Sequence, residues 1–137
     1  MSYVFATRLV RGRKEKAMEP LVSVTKRAVC LNEQLLKKYP GLVGEYVRLG
    51  VDYEENKMML IFQEKREEKS FKCHYNERAK QVSVRSEDFI DKLNQTECLA
   101  LQRFRYRFKP MNVDMNNRFL EINLKDPYEK LKVRKKR

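Results

Sequence analysis

The segment 103–109 constrains the fold more than any other part of the chain, because cationic and aromatic residues alternate along it without interruption. Successive side chains of an extended strand point to opposite faces of a sheet. One face of the predicted strand carries three aromatic residues, Phe104, Tyr106 and Phe108. The other face carries four cations, Arg103, Arg105, Arg107 and Lys109. The aromatic face therefore needs a core, and the cationic face, with charges about 6.7 Å apart, needs anionic partners.

The source of those anionic partners bears directly on function. The closing strand of the same predicted hairpin, 119–124, offers only Glu121. We therefore predict that the counter-charges of the cationic face lie outside the chain. The aromatic residues have two interpretations, a stacking platform for bases of a single strand or part of the core. Large aromatic side chains are more often buried, and we favour the core.

Apolar alternation elsewhere predicts a mostly β protein with an internal repeat. The first half contains four predicted strands, at 21–26, 28–31, 45–51 and 58–63. A helix at 33–39, with Asn32 as its N-cap, separates the second strand from the third. The second half repeats this order, with strands at 71–75, 81–85, 103–113 and 119–124. Its helix, at 87–93, follows Ser86 as the N-cap.

These elements predict an α+β fold made of two β-β-α-β-β repeats, 21–63 and 71–124, joined by a charged connector at 64–70. Each repeat is too small to bury its own apolar face, so we predict that the two share one core. The segment 1–20 is predicted to be a basic N-terminal arm, and 125–137 a basic C-terminal tail.

The net charge of +12 is concentrated at the two ends of the chain. Residues 1–16 contain five Lys or Arg and one Glu, and residues 125–137 contain seven Lys or Arg and two acids. Basic arms on a small globular body are typical of nucleic-acid-binding proteins. The alternative interpretation is that Lys-rich ends only keep a small domain soluble.

Several classes of protein are disfavoured. The longest apolar run, 58–62, is far shorter than the roughly 20 residues that cross a bilayer. The three cysteines, Cys30, Cys73 and Cys98, have no spacing typical of a disulfide framework or a zinc site, which favours a reducing compartment. The single histidine, His74, alternates with Cys73 along a strand, so the two cannot form a catalytic dyad there. We predict no catalytic residues, no metal site and no cofactor.

Two stretches of the first repeat resemble a known family. The segment 27–32 (RAVCLN) is similar to the G-R-[IV]-x-[IL]-P motif of the AbrB-type swapped-hairpin DNA-binding fold, with Asn32 in place of the usual proline. The segment 42–49 (LVGEYVRL) is similar to the L-x-x-G-D-x-V-x-[VL] stretch of that family, and 51–62 fits its final hairpin. The resemblance implies an interleaved barrel, which family members complete by dimerising and which two tandem copies would complete within one chain.

The resemblance also implies DNA binding through basic residues of the first hairpin of each copy, at Lys26, Arg27, Lys72, Arg78 and Lys80. Together with the arms and the cationic strand, it favours a non-enzymatic nucleic-acid-binding protein, regulatory or phage-encoded, with DNA as the favoured ligand. The remaining candidate contacts are Arg11, Arg13, Lys14, Arg103, Arg105, Arg107, Lys109, Arg134, Lys135, Lys136 and Arg137. The predicted location is the cytoplasm of a bacterial or phage-infected cell.

The alternative function is that of a small structural component of a large assembly, such as a virion or a ribonucleoprotein particle. In such assemblies, basic tails become ordered against partner chains, and a homo-oligomer would have the same effect. Neither function involves a membrane.

Overall fold

Two antiparallel sheets contain most of the regular structure of residues 19–133, the part of the chain that this computed structural model describes. The first half of this part contains β1 (Val22–Val24), β2 (Ala28–Leu31), α1 (Glu33–Lys38), β3 (Tyr46–Asp52) and β4 (Lys57–Gln63). The second half contains β5 (Ser70–Lys72), β6 (His74–Asn76), β7 (Gln81–Arg85), α2 (Glu87–Asn94), β8 (Phe104–Phe108), β9 (Asn112–Asp114) and β10 (Phe119–Asn123). A further strand, β11 (Glu129–Lys132), follows. The mostly β class is confirmed.

The strand order is β11-β8-β1-β2-β7-β6 in the six-stranded sheet and β5-β3-β4-β10-β9 in the five-stranded sheet. Neither sheet closes on itself. Two extended segments each supply a strand to both sheets: β5 and β6 are separated only by Cys73, and β8 and β9 only by residues 109–111. At these breaks the Cys73 amide donates to the Glu45 carbonyl at 2.8 Å, and the Met111 amide donates to the Glu121 carbonyl at 2.7 Å.

We predicted one continuous strand at 71–75 and another at 103–113, and both predictions are wrong, because each segment forms two separate strands. Each segment leaves one sheet and enters the other, and this change of partner interrupts the ladder. In the second segment the interruption contains Pro110, which has no amide hydrogen for a ladder hydrogen bond. Alternation of residue types shows which side chains share a face, but not where a strand changes its neighbour.

The inner faces of both sheets contribute to one core. Val22 and Val24 of β1, Leu60 of β4 and Ile122 of β10 are all completely buried in it. The aromatic face of β8 lies in the same core, with Tyr106 at 3% exposure and Phe108 at 0%, and their rings stack with centroids 6.1 Å apart. The interpretation of this face as core is confirmed for these two residues.

Both predicted helix N-caps are confirmed. The Ser86 hydroxyl accepts a hydrogen bond from the Phe89 amide at 3.1 Å. The Asn32 side-chain oxygen accepts from the Leu35 amide of α1 and also from the Leu21 amide, each at 3.0 Å. Asn32 therefore stabilises both the first turn of α1 and the entry to β1, because one side chain satisfies donors in two elements. No helix among residues 19–133 is long and apolar enough to cross a membrane.

The segment 125–137, which the sequence predicts to be a basic tail, contains β11, and β11 pairs antiparallel with β8. This strand gives no clear sequence signal because Glu129–Lys132 (EKLK) is short and rich in charge. Residues 1–18 of the predicted arm and residues 134–137 lie outside the described part of the chain.

Gly44 lies where two parts of the chain approach each other closely. A Cβ at this position would lie 2.5 Å from the Gln63 backbone oxygen and 2.7 Å from an Arg118 guanidinium nitrogen. The Arg118 guanidinium joins the Leu42 carbonyl to the Glu64 carboxylate. Only glycine leaves room for this contact between the loop before β3, the end of β4 and the β9–β10 turn.

We expect Gly44→Ala to lower the free energy of unfolding by about 1–3 kcal/mol, because the backbone oxygen of Gln63 cannot move aside as a side chain could. Urea unfolding of the purified protein measures this change. Gly50→Ala is the matched control, since its Cβ would meet only the terminal methyl of Met59, at 3.4 Å. Equal losses in the two variants would contradict the close approach at Gly44.

Candidate nucleic-acid interface

The outer face of the six-stranded sheet carries small polar residues at its centre and cations beside them. Alternation directs the valines of β1, β2 and β7 into the core, so the intervening residues point outward. In one row across the sheet, Arg107 lies opposite Ser23, Ser23 opposite Cys30, Cys30 opposite Ser83, and Ser83 opposite His74. Ser23, Cys30 and Ser83 are half-buried.

Five exposed cations lie toward one end of this sheet, and we call them the basic patch: Lys26, Arg27, Arg85, Arg103 and Arg105. The strand register brings them together. Val24 pairs with both Val29 and Tyr106, so the β1–β2 turn, which holds Lys26 and Arg27, lies at the end of β8 where Arg103 and Arg105 are found.

Arg85 lies at the same end of the sheet, because its register partner is Ala28, directly after the turn. Arg85 lies on β7 and Arg105 on β8, and these two strands are separated by three inter-strand spacings, or about 14 Å. Among residues 19–133, no acidic group lies within 4.0 Å of any cation of the basic patch. Asp88, which follows Arg85 closely in sequence, pairs with Lys92 at 2.9 Å.

The prediction that the counter-charges of 103–109 lie outside the chain is wrong for two of the four cations. Arg107 forms a salt bridge of 3.0 Å with Glu129 of β11. Lys109 lies 3.7 Å from Glu19, and its ammonium is also 4.8 Å from the centroid of the Tyr128 ring. Glu121, the acid expected from the closing strand, lies in the other sheet. Arg103 and Arg105 are the two cations of this strand that keep no acidic partner among the described residues.

The structure separates the other predicted contacts from this patch. Lys72 points to the outer face of the five-stranded sheet, opposite Tyr46. Arg78 and Lys80 lie in the β6–β7 turn, at the other end of the six-stranded sheet, because Gln81 pairs with Asn76 and β7 runs from there to Arg85. The terminal candidates lie outside the described residues: Arg11, Arg13, Lys14, Arg134, Lys135, Lys136 and Arg137.

The sequence interpretation missed Arg85. A signal was present, because Arg85 follows Val84, and the residue after a core-facing position of a strand points outward. Cys30, near Arg85 at the centre of this face, has its pKa raised by burial, an effect that the Arg85 charge partly offsets. The thiol therefore stays neutral at physiological pH and does not reduce the positive charge of the face.

The described residues hold no group of three or more His, Cys, Asp or Glu side chains able to bind a metal ion. Burial, and secondarily the Glu64 charge, raise the pKa of the Cys73 thiol to about 11, which makes it a poor nucleophile. A cavity of about 780 Å³ opens beside β11 and is lined in part by Cys98, Lys125 and Lys130. The Lys130 ammonium lies 4.3 Å from the centroid of the Phe104 ring, on the aromatic side of β8 and away from the basic patch.

Comparisons of this chain with protein-family models, with curated proteins and with solved structures find no match.

Proposed function

We propose that this protein binds nucleic acid, with DNA favoured, through the basic patch and without enzymatic activity. The observation that carries the proposal is the group of five exposed cations, gathered at one end of the six-stranded sheet, that have no acidic partner in salt-bridge range among residues 19–133. Surface cations of a folded domain are commonly accompanied by acids, and a row without them repels itself until a polyanion neutralises it.

The mechanism is neutralisation of phosphates with release of their counterions. Arg85 on β7 and Arg105 on β8 would contact phosphates on either side of the short side chains of Thr25 and Ala28, which lie between them in the strand register. These short side chains let a nucleic-acid backbone approach the sheet closely. The aromatic residues Tyr106 and Phe108 are buried, so stacking of bases on them is not part of the mechanism. The basic ends of the chain would add further phosphate contacts.

We further propose that 21–63 and 71–124 are two copies of one unit that exchange hairpins, as in an AbrB-type barrel. The pairing between the copies supports this. The β1–β2 hairpin of the first unit lies between β8 and β7 of the second, β3 pairs with β5, and β4 pairs with β10. Each unit therefore completes the sheets of the other. A bacterial or phage-infected cytoplasm is the location that this interpretation favours.

A second candidate function is that of a structural component of a larger assembly, such as a virion. The outer face of the five-stranded sheet favours it, because Met59, Ile61 and Phe119 lie there and are only half-buried. An apolar face of this kind suits contact with another protein.

We expect the full chain to bind fluorescent duplex DNA, with an affinity that falls about 100-fold between about 50 and 200 mM salt. This estimate takes four phosphate contacts at about 0.9 per contact in the slope of log affinity against log salt. Fluorescence anisotropy measures it, with single-stranded DNA and duplex RNA of equal length as parallel ligands. An absence of salt-sensitive binding to all three ligands at low salt would refute the proposed function.

A further inference from the structure

The outer face of the five-stranded sheet has an apolar centre. Ile61 of β4 lies opposite Phe119 of β10 in the strand register, and Met59 lies in the next outward row, opposite Gly50 of β3. The terminal methyl of Met59 covers Gly50, which has no side chain of its own, so the surface there is flat. Met59, Ile61 and Phe119 are all half-buried within the monomer. We call these three residues the apolar strip.

Charges of opposite sign lie on the two sides of this strip. On one side, Arg48 of β3 lies opposite Ile61, and Lys72 lies on β5. On the other side, Glu121 lies on β10 and Asp114 on β9. Arg48 and Lys72 are exposed and have no acidic partner within 4.0 Å among residues 19–133.

Both acids accept hydrogen bonds from nearby amide groups. Hydrogen bonds from the Asn117 side chain and backbone lower the pKa of Asp114, and the Asn116 amide contributes as well. One oxygen of Glu121 accepts a hydrogen bond from the Asn112 amide group at 2.9 Å, and Glu121 is only half-buried. Beside the apolar strip the face is therefore basic on the β3–β5 side and acidic on the β9–β10 side, while Asp52 lies further along β3, opposite Lys57.

This arrangement is self-complementary. In the order β5-β3-β4-β10-β9, the central strand is β4. A two-fold axis parallel to β4, in the plane between two stacked faces, places β3 of one copy over β10 of the other and β5 over β9. Ile61 and Met59 then meet their own copies, as an isologous interface requires. Arg48 lies over Phe119 of the second copy, beside the acids Glu121 and Asp114.

We propose that the apolar strip and its flanking charges form a homodimer interface, with a second copy of this chain as the occupant. The five strands have 3, 7, 7, 5 and 3 residues, and at about 3.4 Å per residue and about 4.8 Å between strands they give a contact of roughly 400 Å² per copy. This is smaller than the roughly 800 Å² per partner of a standard interface, so the dimer is weak and depends on protein concentration. The interface is separate from the basic patch, and its formation requires no nucleic acid.

Sedimentation velocity of the full chain over a concentration series tests the proposal. We expect wild-type protein to shift from monomer to dimer as concentration rises, and Ile61→Asp to remain monomeric, because it would bury a carboxylate against its own copy. Ser23→Asp is the matched control, since it adds the same charge at the centre of the other sheet's outer face and should dimerise like wild type. Thermal unfolding establishes that both variants are folded.

A charge exchange tests the geometry without adding a charge to the apolar strip. Arg48→Glu and Glu121→Arg are each expected to weaken the dimer about tenfold or more, because each places like charges together across the axis. The double variant restores opposite charges and is expected to regain most of the affinity. Any one of three results would overturn the proposal. The wild-type protein could stay monomeric at every concentration, Ile61→Asp could dimerise, or the double variant could fail to regain affinity.

Discussion

Reversing Arg85 and Arg105 together to glutamate is expected to weaken binding to duplex DNA by at least about 100-fold at about 50 mM salt. Each phosphate contact contributes about tenfold at this salt concentration through counterion release, and two contacts are lost. The slope of log affinity against log salt should also become shallower by about two. Fluorescence anisotropy titrations at several salt concentrations measure both quantities. The fold should be unaffected, because both side chains are exposed and neither has an acidic partner among the described residues.

The double variant Arg66→Glu with Lys69→Glu is the matched control. It makes the same change in net charge, but within the exposed connector between β4 and β5. If both double variants lose the same affinity, only the overall charge matters and the basic patch is not the binding surface. If only Arg85→Glu with Arg105→Glu loses affinity and salt dependence, the contact is localised to the outer face of the six-stranded sheet.

Phe108→Ala is expected to lower the free energy of unfolding by about 3–5 kcal/mol. The Phe108 ring is completely buried and stacks on Tyr106. Its removal therefore loses the free energy of transferring the ring from water to the core, and it also leaves a cavity whose lining loses packing contacts. Urea unfolding followed by circular dichroism measures the change, provided that the denaturant slope stays constant. Such a loss is a large part of the stability of a domain of this size.

Phe104→Ala on the same face of the same strand is the comparison. Phe104 is only half-buried, and one side of its ring contacts the Lys130 ammonium, so we expect a clearly smaller loss. A Phe104→Ala loss as large as that of Phe108→Ala would show that the core extends further toward β11 than the burial of these residues indicates.

Most elements of residues 21–63 could be predicted because their signals are local. The strand Ala28–Leu31 and the start of α1 at Glu33 agree with the sequence prediction, since alternation and the Asn32 cap each act within a few residues. The segment 42–49, which contains Gly44, was singled out by its resemblance to a known family, but the sequence did not indicate why a glycine is needed there. The close approach involves Gln63 and Arg118, which are distant in sequence and become neighbours only through sheet pairing.

The elements of residues 71–124 were predicted less completely because two of the extended segments pass from one sheet to the other. The segments around Cys73 and Pro110 show continuous alternation, yet each is divided between two sheets. The candidate site was changed for a similar reason. Arg85 belongs to the basic patch because β7 pairs with β2, which places Arg85 beside the β1–β2 turn. Arg78 and Lys80 lie at the opposite end of β7 and are therefore remote from the basic patch.

The sequence by itself determined that residues 103–109 have one aromatic and one cationic face, because the direction of side chains along a strand is a local property of the backbone. Only the tertiary structure decided which of those cations remain available. Glu129 and Glu19 approach Arg107 and Lys109 from distant parts of the chain, while Arg105 has no acid within salt-bridge range among the described residues. Electrostatic partners across a sheet are set by which strands become neighbours, and the pattern within one strand does not contain that information.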